Sequence, residues 1–276
     1  MREDFTDLFG LSGKTAAITG GGGVLCGTMA RALGKLGVKV AVLDIVEEAA
    51  KKVADDITES DGQAIAIKTD VLKKESLEEA CARVIESFGK VDILINGAGG
   101  NTPEATTSEK VEFFDLPESA VRWVFDLNFM GTFLASQVFG REMAARGEGI
   151  IINVSSMNYF RPLTRVPAYS AAKAAVSNFT QWLAVHMSHN YSKQIRVNAI
   201  APGFFLTEQN RFLLTDKKTG DLTPRGKTIV DHTPLSKFGA PEDLIGTIIW
   251  LTSSASEFVH GITVPIDGGF SAFSGV

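Results

Sequence analysis

Tyr169 and Lys173 stand four positions apart in the stretch that runs from Ala168 to Ala175. In a helix, side chains at this spacing share one face, which places an ammonium group beside a phenol. A free phenol has a pKa near ~10 and is a poor acid or base at neutral pH. A neighbouring positive charge favours the phenolate and lowers this pKa. The pair therefore predicts a tyrosine that exchanges a proton with an alcohol or carbonyl, although Tyr and Lys also meet at this spacing in helices without catalytic roles.

The length of the chain suits one large α/β domain or two small ones. The chain has 276 residues, of which 45% are hydrophobic and 21% charged, and its net charge is −5. A mildly acidic chain without basic blocks argues against nucleic acid as a partner. We find no run of ~18 apolar residues and no signal peptide at the acidic N-terminus, so neither a membrane partner nor export is expected.

The two cysteines, Cys26 and Cys81, belong to no Cys-x-x-Cys unit. This spacing predicts neither a disulfide framework nor a zinc site, and no metal is expected. Reduced thiols fit a cytoplasmic location.

Short apolar runs rich in β-branched residues alternate with longer helical patterns. This alternation predicts βαβ units and a parallel sheet covered by helices on both faces, within a single domain over residues 1–276. The predicted strands are Thr15–Thr19, Lys39–Leu43, Ala64–Thr69, Val91–Ile95, Gly149–Val154, Arg196–Ala199 and Ile262–Ile266. The predicted helices lie around 25–36, 46–59, 73–88, 118–145, 168–191 and 241–253.

Two long segments, 99–117 and 202–241, lack a regular pattern and follow the fourth and sixth predicted strands. In open α/β sheets, ligands bind at the carboxyl ends of the strands. Loops of this length in a compact domain are functional or disordered. We interpret both segments as substrate loops that close over the site.

The first predicted strand leads into a glycine turn, Gly20–Gly23, and then into a helix. Such a turn lets backbone amides and a helix N-terminus approach a diphosphate. Asp44 ends the second strand, where a carboxylate accepts the ribose hydroxyls and repels a 2′-phosphate. The pattern predicts NAD rather than NADP as cofactor, with a helix N-cap as the alternative role of Asp44.

Further polar and glycine residues follow the later strands in a fixed order. They are Asn96-Gly97-Ala98-Gly99, Asn128, Ser155-Ser156, Tyr169, Lys173, Asn198 to Gly203, and Thr207. Together with the glycine turn, this order resembles the short-chain dehydrogenase/reductase family from about Leu11 to Gly269. The resemblance implies a single Rossmann-fold domain with a seven-stranded parallel sheet, which binds NAD and oxidises or reduces CH–OH groups.

The resemblance also implies a catalytic set of four residues. Tyr169 is the expected acid–base, and Ser156, rather than Ser155, is expected to bond the substrate oxygen. Lys173 is expected to bind the nicotinamide ribose and tune Tyr169, and Asn128 to hold a water in a proton relay. Two alternatives stay open: Asn128 bonded only to the backbone, and Ser156 as a helix cap.

The same resemblance places a group of residues around the cofactor. Asp70 and Val71 are expected to flank the adenine, and Thr207 to reach the carboxamide. The full set is Gly20, Gly22, Gly23, Val24, Leu25, Asp44, Asp70, Val71, Asn96, Gly97, Ala98, Tyr169, Lys173, Pro202, Gly203, Phe205 and Thr207.

The sequence departs from the family in the glycine turn. The family pattern is Thr-Gly-x-x-x-Gly-x-Gly, and its last two glycine positions here hold Val24 and Cys26. Gly97 stands where the family often has a second Asn. We expect Cys26 to be a packing residue near the phosphates, without a redox role.

The two loops that border the expected site carry polar side chains. Asn158, with Gln209 and Asn210, can bond hydroxyls, and Arg161 or Arg211 can bind a carboxylate as a fork, as could Arg165. Each arginine has the alternative of being a surface charge. With Ser156 and Tyr169, Asn158, Arg161 and Arg211 form the predicted substrate site.

The insert 99–117 and the segment after Phe204 resemble short-chain enzymes that interconvert D-mannonate and D-fructuronate. Gluconate 5-dehydrogenase activity is the nearest alternative. A ketoacyl or steroid reductase would need a more apolar substrate loop after Phe204. A non-catalytic nucleotide-binding protein would have lost part of the four-residue catalytic set. The resemblance also implies a homotetramer built through the long helices near 118–145 and 168–191.

Overall fold

The computed structural model describes residues 5–207, 211–216 and 219–275. In these residues seven parallel strands form one sheet, as predicted, and their order is β3-β2-β1-β4-β5-β6-β7. Each predicted strand is confirmed, with small shifts at its ends. The strands are β1 (Thr15–Thr19), β2 (Lys39–Asp44), β3 (Gln63–Lys68), β4 (Ile93–Asn96), β5 (Glu148–Val154), β6 (Gln194–Pro202) and β7 (Thr263–Ile266).

The predicted helices are also confirmed, and the long stretch 118–145 contains a π-helical turn at Asp126–Met130 between two α-helices. A 3-10 turn, Pro241–Leu244, precedes the last helix. The α-helices are α1 (Val24–Lys35), α2 (Glu47–Thr58), α3 (Lys74–Phe88), α4 (Glu118–Phe125), α5 (Gly131–Arg146), α6 (Pro167–Asn190), α7 (Arg211–Leu214), α8 (Pro224–His232) and α9 (Ile245–Thr252).

The sheet is buried on both faces, which explains its almost continuously apolar strands. On one face α1, α2 and α9 pack on the sheet, with Met29 and Leu251 in the same cluster as Ile18. On the other face α3, α5 and α6 do so, with Phe139 in the same cluster as Leu94. No helix in the described ranges combines the length and apolar character needed to cross a bilayer.

The strand order creates a switch point beside β1, which pairs with β2 on one side and with β4 on the other. From β1 the chain builds the sheet outward to β3, returns to β4, and then builds it outward to β7. In such sheets a crevice opens outside the carboxyl ends of the strands at the reversal. The turns after β1 and β4 therefore face each other there.

The segment 202–241 differs from the irregular loop predicted, because it contains α7 and α8. Helix α8 has Pro224 at its first position, and the N-cap Thr223 accepts a hydrogen bond from the N–H of Gly226 at 3.0 Å. Both are helix-start signals that can be read in the sequence as turn residues instead.

The insert 99–117 has short 3-10 turns at Pro103–Ala105 and Phe113–Asp115. Ala105 is buried in a small cluster with Val124 and Ala168, and Tyr169 packs against this cluster. The insert thus forms a packed wall next to the start of α6.

Candidate active site

The first two turns of α6 carry Tyr169 and Lys173 on one face, as their spacing predicts. The Nζ of Lys173 lies 5.5 Å from the centroid of the Tyr169 ring. Lys173 is buried, and its Nζ donates a hydrogen bond of 2.7 Å to the carbonyl of Val154 at the end of β5. Strand β5 therefore holds the ammonium group in place beside the phenol.

The electrostatics of this pair differ from the prediction that Lys173 lowers the pKa of Tyr169. Burial raises the pKa of Tyr169 above its usual value, against a side-chain hydrogen bond with Ser156 that lowers it. Burial also lowers the pKa of Lys173 to about 8. Removal from water disfavours both charged forms, and it is the largest influence on the pKa of each residue.

The structure separates the roles of the two neighbouring serines. Ser155 bonds the carbonyl of Lys173 at 3.0 Å and the hydroxyl of Ser177 at 2.7 Å, so it braces α6. Ser156 lies beside Tyr169, and its hydroxyl accepts the N–H of Asn158 at 3.2 Å. Ser156 therefore caps a short turn, the alternative considered for it, and also contacts the phenol.

Asn128 lies in the π-helical turn and is fully buried. Its Nδ2 donates to the carbonyls of Gly100 at 2.7 Å and Val124 at 2.8 Å, and its Oδ1 accepts the N–H of Gly100 at 3.2 Å. The backbone-bonded alternative thus describes the Asn128 side chain, and both of its amide protons are used. π-Turns often occur at functional sites because they re-aim single residues in a helix.

Gly99 connects this residue to Lys173. A Cβ atom added at Gly99 would stand 2.5 Å from Oδ1 of Asn128 and 3.2 Å from Nζ of Lys173. The turn after β4 thus passes directly over two of the four predicted catalytic side chains. Gly99, Gly100 and Val154 were not among the predicted site residues, because their contacts join distant parts of the chain.

At the nucleotide end, Asp44 contacts the glycine turn directly. Its Oδ2 accepts the N–H of Gly22 at 3.0 Å, and its Oδ1 accepts the N–H of Val46 at 3.0 Å. The N-cap of α2 is Val46, so Asp44 is not that cap. Two carboxylate oxygens offer about four acceptor positions, which leaves lone pairs for a ribose diol.

The start of α1 fits the diphosphate of a dinucleotide. The helix begins at Val24, followed by Leu25, and its N-cap Gly23 makes no side-chain cap hydrogen bond. The N–H groups of a first helical turn carry partial positive charge and bind anions. Backbone N–H groups that can donate to a diphosphate and a carboxylate that can accept from a ribose diol are thus both present, as the prediction requires.

The glycine turn and the turn after β4 are in backbone contact. Gly20 has a φ of +63°, and a Cβ there would stand 2.9 Å from the backbone of Ala98. The hydroxyl of Thr19 accepts the N–H groups of Gly97 at 3.1 Å and Ala98 at 3.2 Å. Thr19 therefore ties the end of β1 to the turn after β4.

Three side chains predicted beside the cofactor instead point into the protein. Asn96 donates to Ser136 at 2.9 Å and to Asn153 at 2.8 Å within a buried network. Val71 is buried against Gly131, and Phe205 is buried among core residues. The backbone of Asn96 ends β4, while all three side chains are buried.

The remaining predicted cofactor positions lie at strand ends, as expected. Asp70 accepts the N–H of Leu72 at 3.0 Å and pairs with Lys73 at 3.5 Å. Pro202 ends β6, and Gly203 donates its N–H to Ile266 at 2.9 Å. Arg211 begins α7, and its N–H donates a hydrogen bond of 2.9 Å to the carbonyl of Thr207.

Of the predicted substrate residues, Asn158 is the most informative. It is 3% exposed, and its Oδ1 has no hydrogen-bond partner in the described residues. Arg161 is exposed, and its Nε donates to the carbonyl of Ser271 at 2.9 Å, so the C-terminal segment holds this guanidinium. Gln209 and Asn210 lie outside the described residues.

The comparison with known proteins decides the family. A model of the short chain dehydrogenase family matches residues 14–218. The chain belongs to this family. It is accordingly an oxidoreductase that acts on CH–OH groups with a nicotinamide nucleotide.

The chain is similar over nearly its whole length to several relatives. It is 52% identical to the uncharacterised oxidoreductase UxuB of Bacillus subtilis (96% of this chain, 98% of the relative). It is 35% identical to 2-dehydro-3-deoxy-D-gluconate 5-dehydrogenase of Dickeya dadantii (96% and 98%). It is 32% identical to 7α-hydroxysteroid dehydrogenase of Escherichia coli (96% of each).

A crystal structure of a Haemophilus influenzae protein has the same fold with a TM-score of 0.90 and 48% identity, over 96% of this chain and 98% of that one. That protein is described as a proposed D-mannonate oxidoreductase and has NAD bound.

Proposed function

We propose that this oxidoreductase interconverts a secondary alcohol and a ketone of a sugar acid with NAD, and that D-mannonate and D-fructuronate are its substrate pair. The proposal rests most on one observation: Ser156, Tyr169 and Lys173 converge, and Lys173 is fixed by the carbonyl of Val154. Gluconate 5-dehydrogenase activity is the second candidate within the same substrate class.

Tyr169 takes the hydroxyl proton of the alcohol in the oxidising direction, and Ser156 bonds the substrate oxygen. In the reducing direction the same two groups donate to the carbonyl oxygen while negative charge develops on it. Lys173 stabilises the phenolate from its fixed position. A bound nicotinamide provides the hydride exchange, which no side chain can supply.

Asn128 enters the mechanism through its position. Its side chain is saturated by backbone groups, so we assign it to holding the turn after β4 over Lys173, and the predicted relay water is not assigned to its amide.

Asp44 supports NAD over NADP. The carboxylate is fixed by the N–H groups of Gly22 and Val46, so it cannot turn away from a ligand without losing two hydrogen bonds. Its negative charge would repel a 2′-phosphate at close range. The NAD held by the Haemophilus influenzae protein agrees with this choice.

The polar character of the substrate loops favours a sugar acid over a steroid. The unpartnered Oδ1 of Asn158 lies two residues beyond Ser156, where a substrate hydroxyl can satisfy it. The Nε of Arg161 is occupied by Ser271, which leaves its terminal nitrogens for a carboxylate. Arg211, at the start of α7, is the second arginine proposed for that carboxylate. We treat residues 1–276 as one domain and 99–117 and 202–241 as its substrate loops.

Initial rates on a matched substrate panel test this function. The panel contains D-mannonate, D-gluconate, 2-dehydro-3-deoxy-D-gluconate, D-mannitol and a 7α-hydroxysteroid, each with NAD and with NADP. We expect D-mannonate with NAD to give the highest kcat/KM and mannitol, which lacks the carboxylate, a much lower one. A preference for the steroid or for mannitol would refute the sugar-acid assignment.

We propose a homotetramer formed through α4, α5 and α6. Trp182 and Val185 on α6 are 55% and 56% exposed, Tyr191, which directly follows α6, is 58% exposed, and Trp123 on α4 is 47% exposed. Large apolar side chains grouped in this way mark association surfaces. Light scattering tests the assembly, and Trp182→Glu is expected to shift it to smaller species.

We also propose a cytoplasmic location. The two unpaired, buried cysteines support this reducing setting.

A further inference from the structure

Cys26 and Gly97 share one volume at the junction of the two turns. Cys26 lies in the first turns of α1 and is 5% exposed, and Gly97 directly follows β4. A Cβ atom added at Gly97 would collide with the Sγ of Cys26, although it would stand 3.6 Å from the Cβ of Cys26, an ordinary contact. The thiol thus fills the space that a side chain at position 97 would take.

The space beside Gly97 is bounded by the Cys26 thiol and by the end of β1. The added atom at Gly97 would also lie 2.9 Å from the carbonyl of Thr19, the Thr19 hydroxyl accepts the N–H groups of Gly97 and Ala98, and Gly20 approaches the backbone of Ala98 equally closely. The Sγ of Cys26 fills the remaining space on the side of α1. Its volume therefore limits how closely Gly97 can approach the start of α1.

The turn that rests on Cys26 continues to the reacting groups. Gly99 lies between Asn128 and Lys173, and Gly100 makes two hydrogen bonds with the Asn128 side chain. Only two or three peptide units separate Gly97 from Gly99 and Gly100. A displacement of Gly97 therefore also displaces the residues that contact Asn128 and Lys173. Close packing transmits such shifts instead of absorbing them.

We propose that Cys26 is a positioning residue for the oxidoreductase reaction, whose thiol volume, matched by the absence of a side chain at Gly97, places the turn 97–100 correctly against Asn128 and Lys173. The role is steric and involves no thiol chemistry. Cys81, the other cysteine, belongs to the core on the opposite face of the sheet. Burial raises the pKa of the Cys26 thiol to about 12, which agrees with an unreactive group.

Four variants of the full-length protein test the size match: Cys26→Ala, Gly97→Ala, the double variant C26A/G97A, and Cys81→Ala as the control. Cys26→Ala opens a void, Gly97→Ala overfills the space, and the double variant refills it from the other side. Double-mutant cycles isolate such coupling. This test rests on the proposed function, because its first readout is the pH profile of kcat with the substrate and NAD.

We expect kcat to fall about tenfold in Cys26→Ala and about a hundredfold in Gly97→Ala, in line with the cost of small misplacements near reacting groups. The double variant should regain about tenfold of the kcat lost in Gly97→Ala and return towards the native pH profile, with substrate KM little changed throughout. It should stay below the native kcat, because the Cβ at position 97 still stands 2.9 Å from the Thr19 carbonyl. Cys81→Ala should retain the native profile.

A double variant no better than Gly97→Ala, or a native kcat and pH profile in Cys26→Ala, would overturn the proposal. Should Gly97→Ala fail to fold, a double variant that folds and turns over substrate supports the size match, and one that also fails to fold overturns it. If no panel substrate is turned over, the proposed function fails separately. The NADH-induced rise in Tm must then be reduced in Cys26→Ala and restored in the double variant, or the size match fails too.

Discussion

Asn128 and Gly100 are joined by two hydrogen bonds, one in each direction. The side-chain Nδ2 donates to the Gly100 carbonyl at 2.7 Å, and Oδ1 accepts the Gly100 N–H at 3.2 Å. This pairing fastens the turn after β4 to the π-helical turn between α4 and α5. It also holds Gly99 so close to the Lys173 ammonium that a larger residue does not fit.

A single methyl group at position 99 should therefore disrupt catalysis. In Gly99→Ala the new Cβ would stand 2.5 Å from Oδ1 of Asn128, which forces the amide or the turn to move. We expect kcat to fall by about a hundredfold or more, since misplacement of about 1 Å has this effect. Steady-state kinetics measure it.

The neighbouring Gly100→Ala variant is the matched control, because a Cβ at Gly100 meets no atom within 4 Å and both of its hydrogen bonds to Asn128 use the backbone. Its kcat should stay within about threefold of the native value. A threefold change corresponds to less free energy than the loss of one hydrogen bond typically costs. Equal losses in the two variants would show that the contact with Asn128 and Lys173 is not the cause.

Tyr169→Phe should remove turnover while nucleotide binding survives. The substitution deletes the proton-exchanging oxygen and keeps the ring that packs against Ala105, Val124 and Ala168. We expect kcat to fall about 10²–10⁴-fold, with NADH fluorescence titration giving a native-like Kd. Near-native turnover would rule out the proposed role of the phenol.

Asp44→Ala should weaken NAD binding and reduce discrimination against NADP. The change removes the acceptor for the ribose diol and the acceptor for the Gly22 N–H. We expect kcat/KM for NAD to fall about tenfold or more. Asp44→Asn, which keeps the shape and removes the charge, separates repulsion of the 2′-phosphate from loss of the turn contact. A native enzyme that already prefers NADP contradicts this interpretation of Asp44.

Burial of Lys173 should make the stability of the nucleotide-free protein depend on pH. The pKa of Lys173 is lowered from 10.5 to about 8 in the folded chain. Between these values Lys173 carries a proton in the unfolded chain but not in the folded one, so its contribution to the free energy of unfolding rises with pH through this window. Below pH 8 both states are protonated, and the full penalty of the buried charge remains.

Lys173→Met should flatten this dependence, which thermal melts between pH 7 and pH 10.5 can measure. The difference between the native Tm and the Tm of the variant should increase with pH across the upper part of the range. Parallel curves for the two proteins would show that the folded chain does not lower the pKa of Lys173.

The opposite edge of the sheet offers a prediction for stability alone. Buried Asp92 accepts the N–H of Thr15 at 2.9 Å and pairs with Lys90 at 3.0 Å and Arg146 at 2.7 Å. Burial raises its pKa, but these hydrogen bonds and charges outweigh burial and hold the pKa below its usual range. Its carboxylate therefore stabilises the fold above that range, and this contribution is lost on acidification.

Asp92→Asn should cost about 1–3 kcal/mol of unfolding free energy at neutral pH, while kcat stays native because the residue lies at the amino ends of the strands. Urea denaturation measures the loss. Glu148→Gln, an exposed partner of the same Arg146, is the control and should change stability by less than about 1 kcal/mol. A lowered kcat in Asp92→Asn would contradict this assignment.

The strands and long helices could be predicted because their signals are local. Runs such as Ile93–Asn96 are apolar throughout, and the catalytic spacing from Tyr169 to Lys173 is a property of one helix. The order of motifs along the chain singles out Asn128 and Ser156, and in the structure Asn128 is joined to Gly100 and Ser156 lies beside Tyr169.

What escaped prediction depends on contacts between distant residues. The use of both Asn128 amide protons by the carbonyls of Gly100 and Val124, and the burial that raises the Tyr169 pKa, exist only in the folded chain. The π-turn at Asp126–Met130 interrupts a sequence that reads as one continuous helix. The sequence predicts the position of Asn96 after an apolar strand, but not the burial of its side chain between Ser136 and Asn153.

The neighbouring positions of β1 and β4 have a consequence for the folding of this protein during its synthesis. Residues 20–92 separate two strands that lie side by side, so the crevice between them closes only after β2, β3 and their helices have been added on the other side. Pairings between such distant segments form late and slowly. A nascent chain released before β4 would hold the glycine turn and Asp44 yet lack the second wall of the nucleotide crevice.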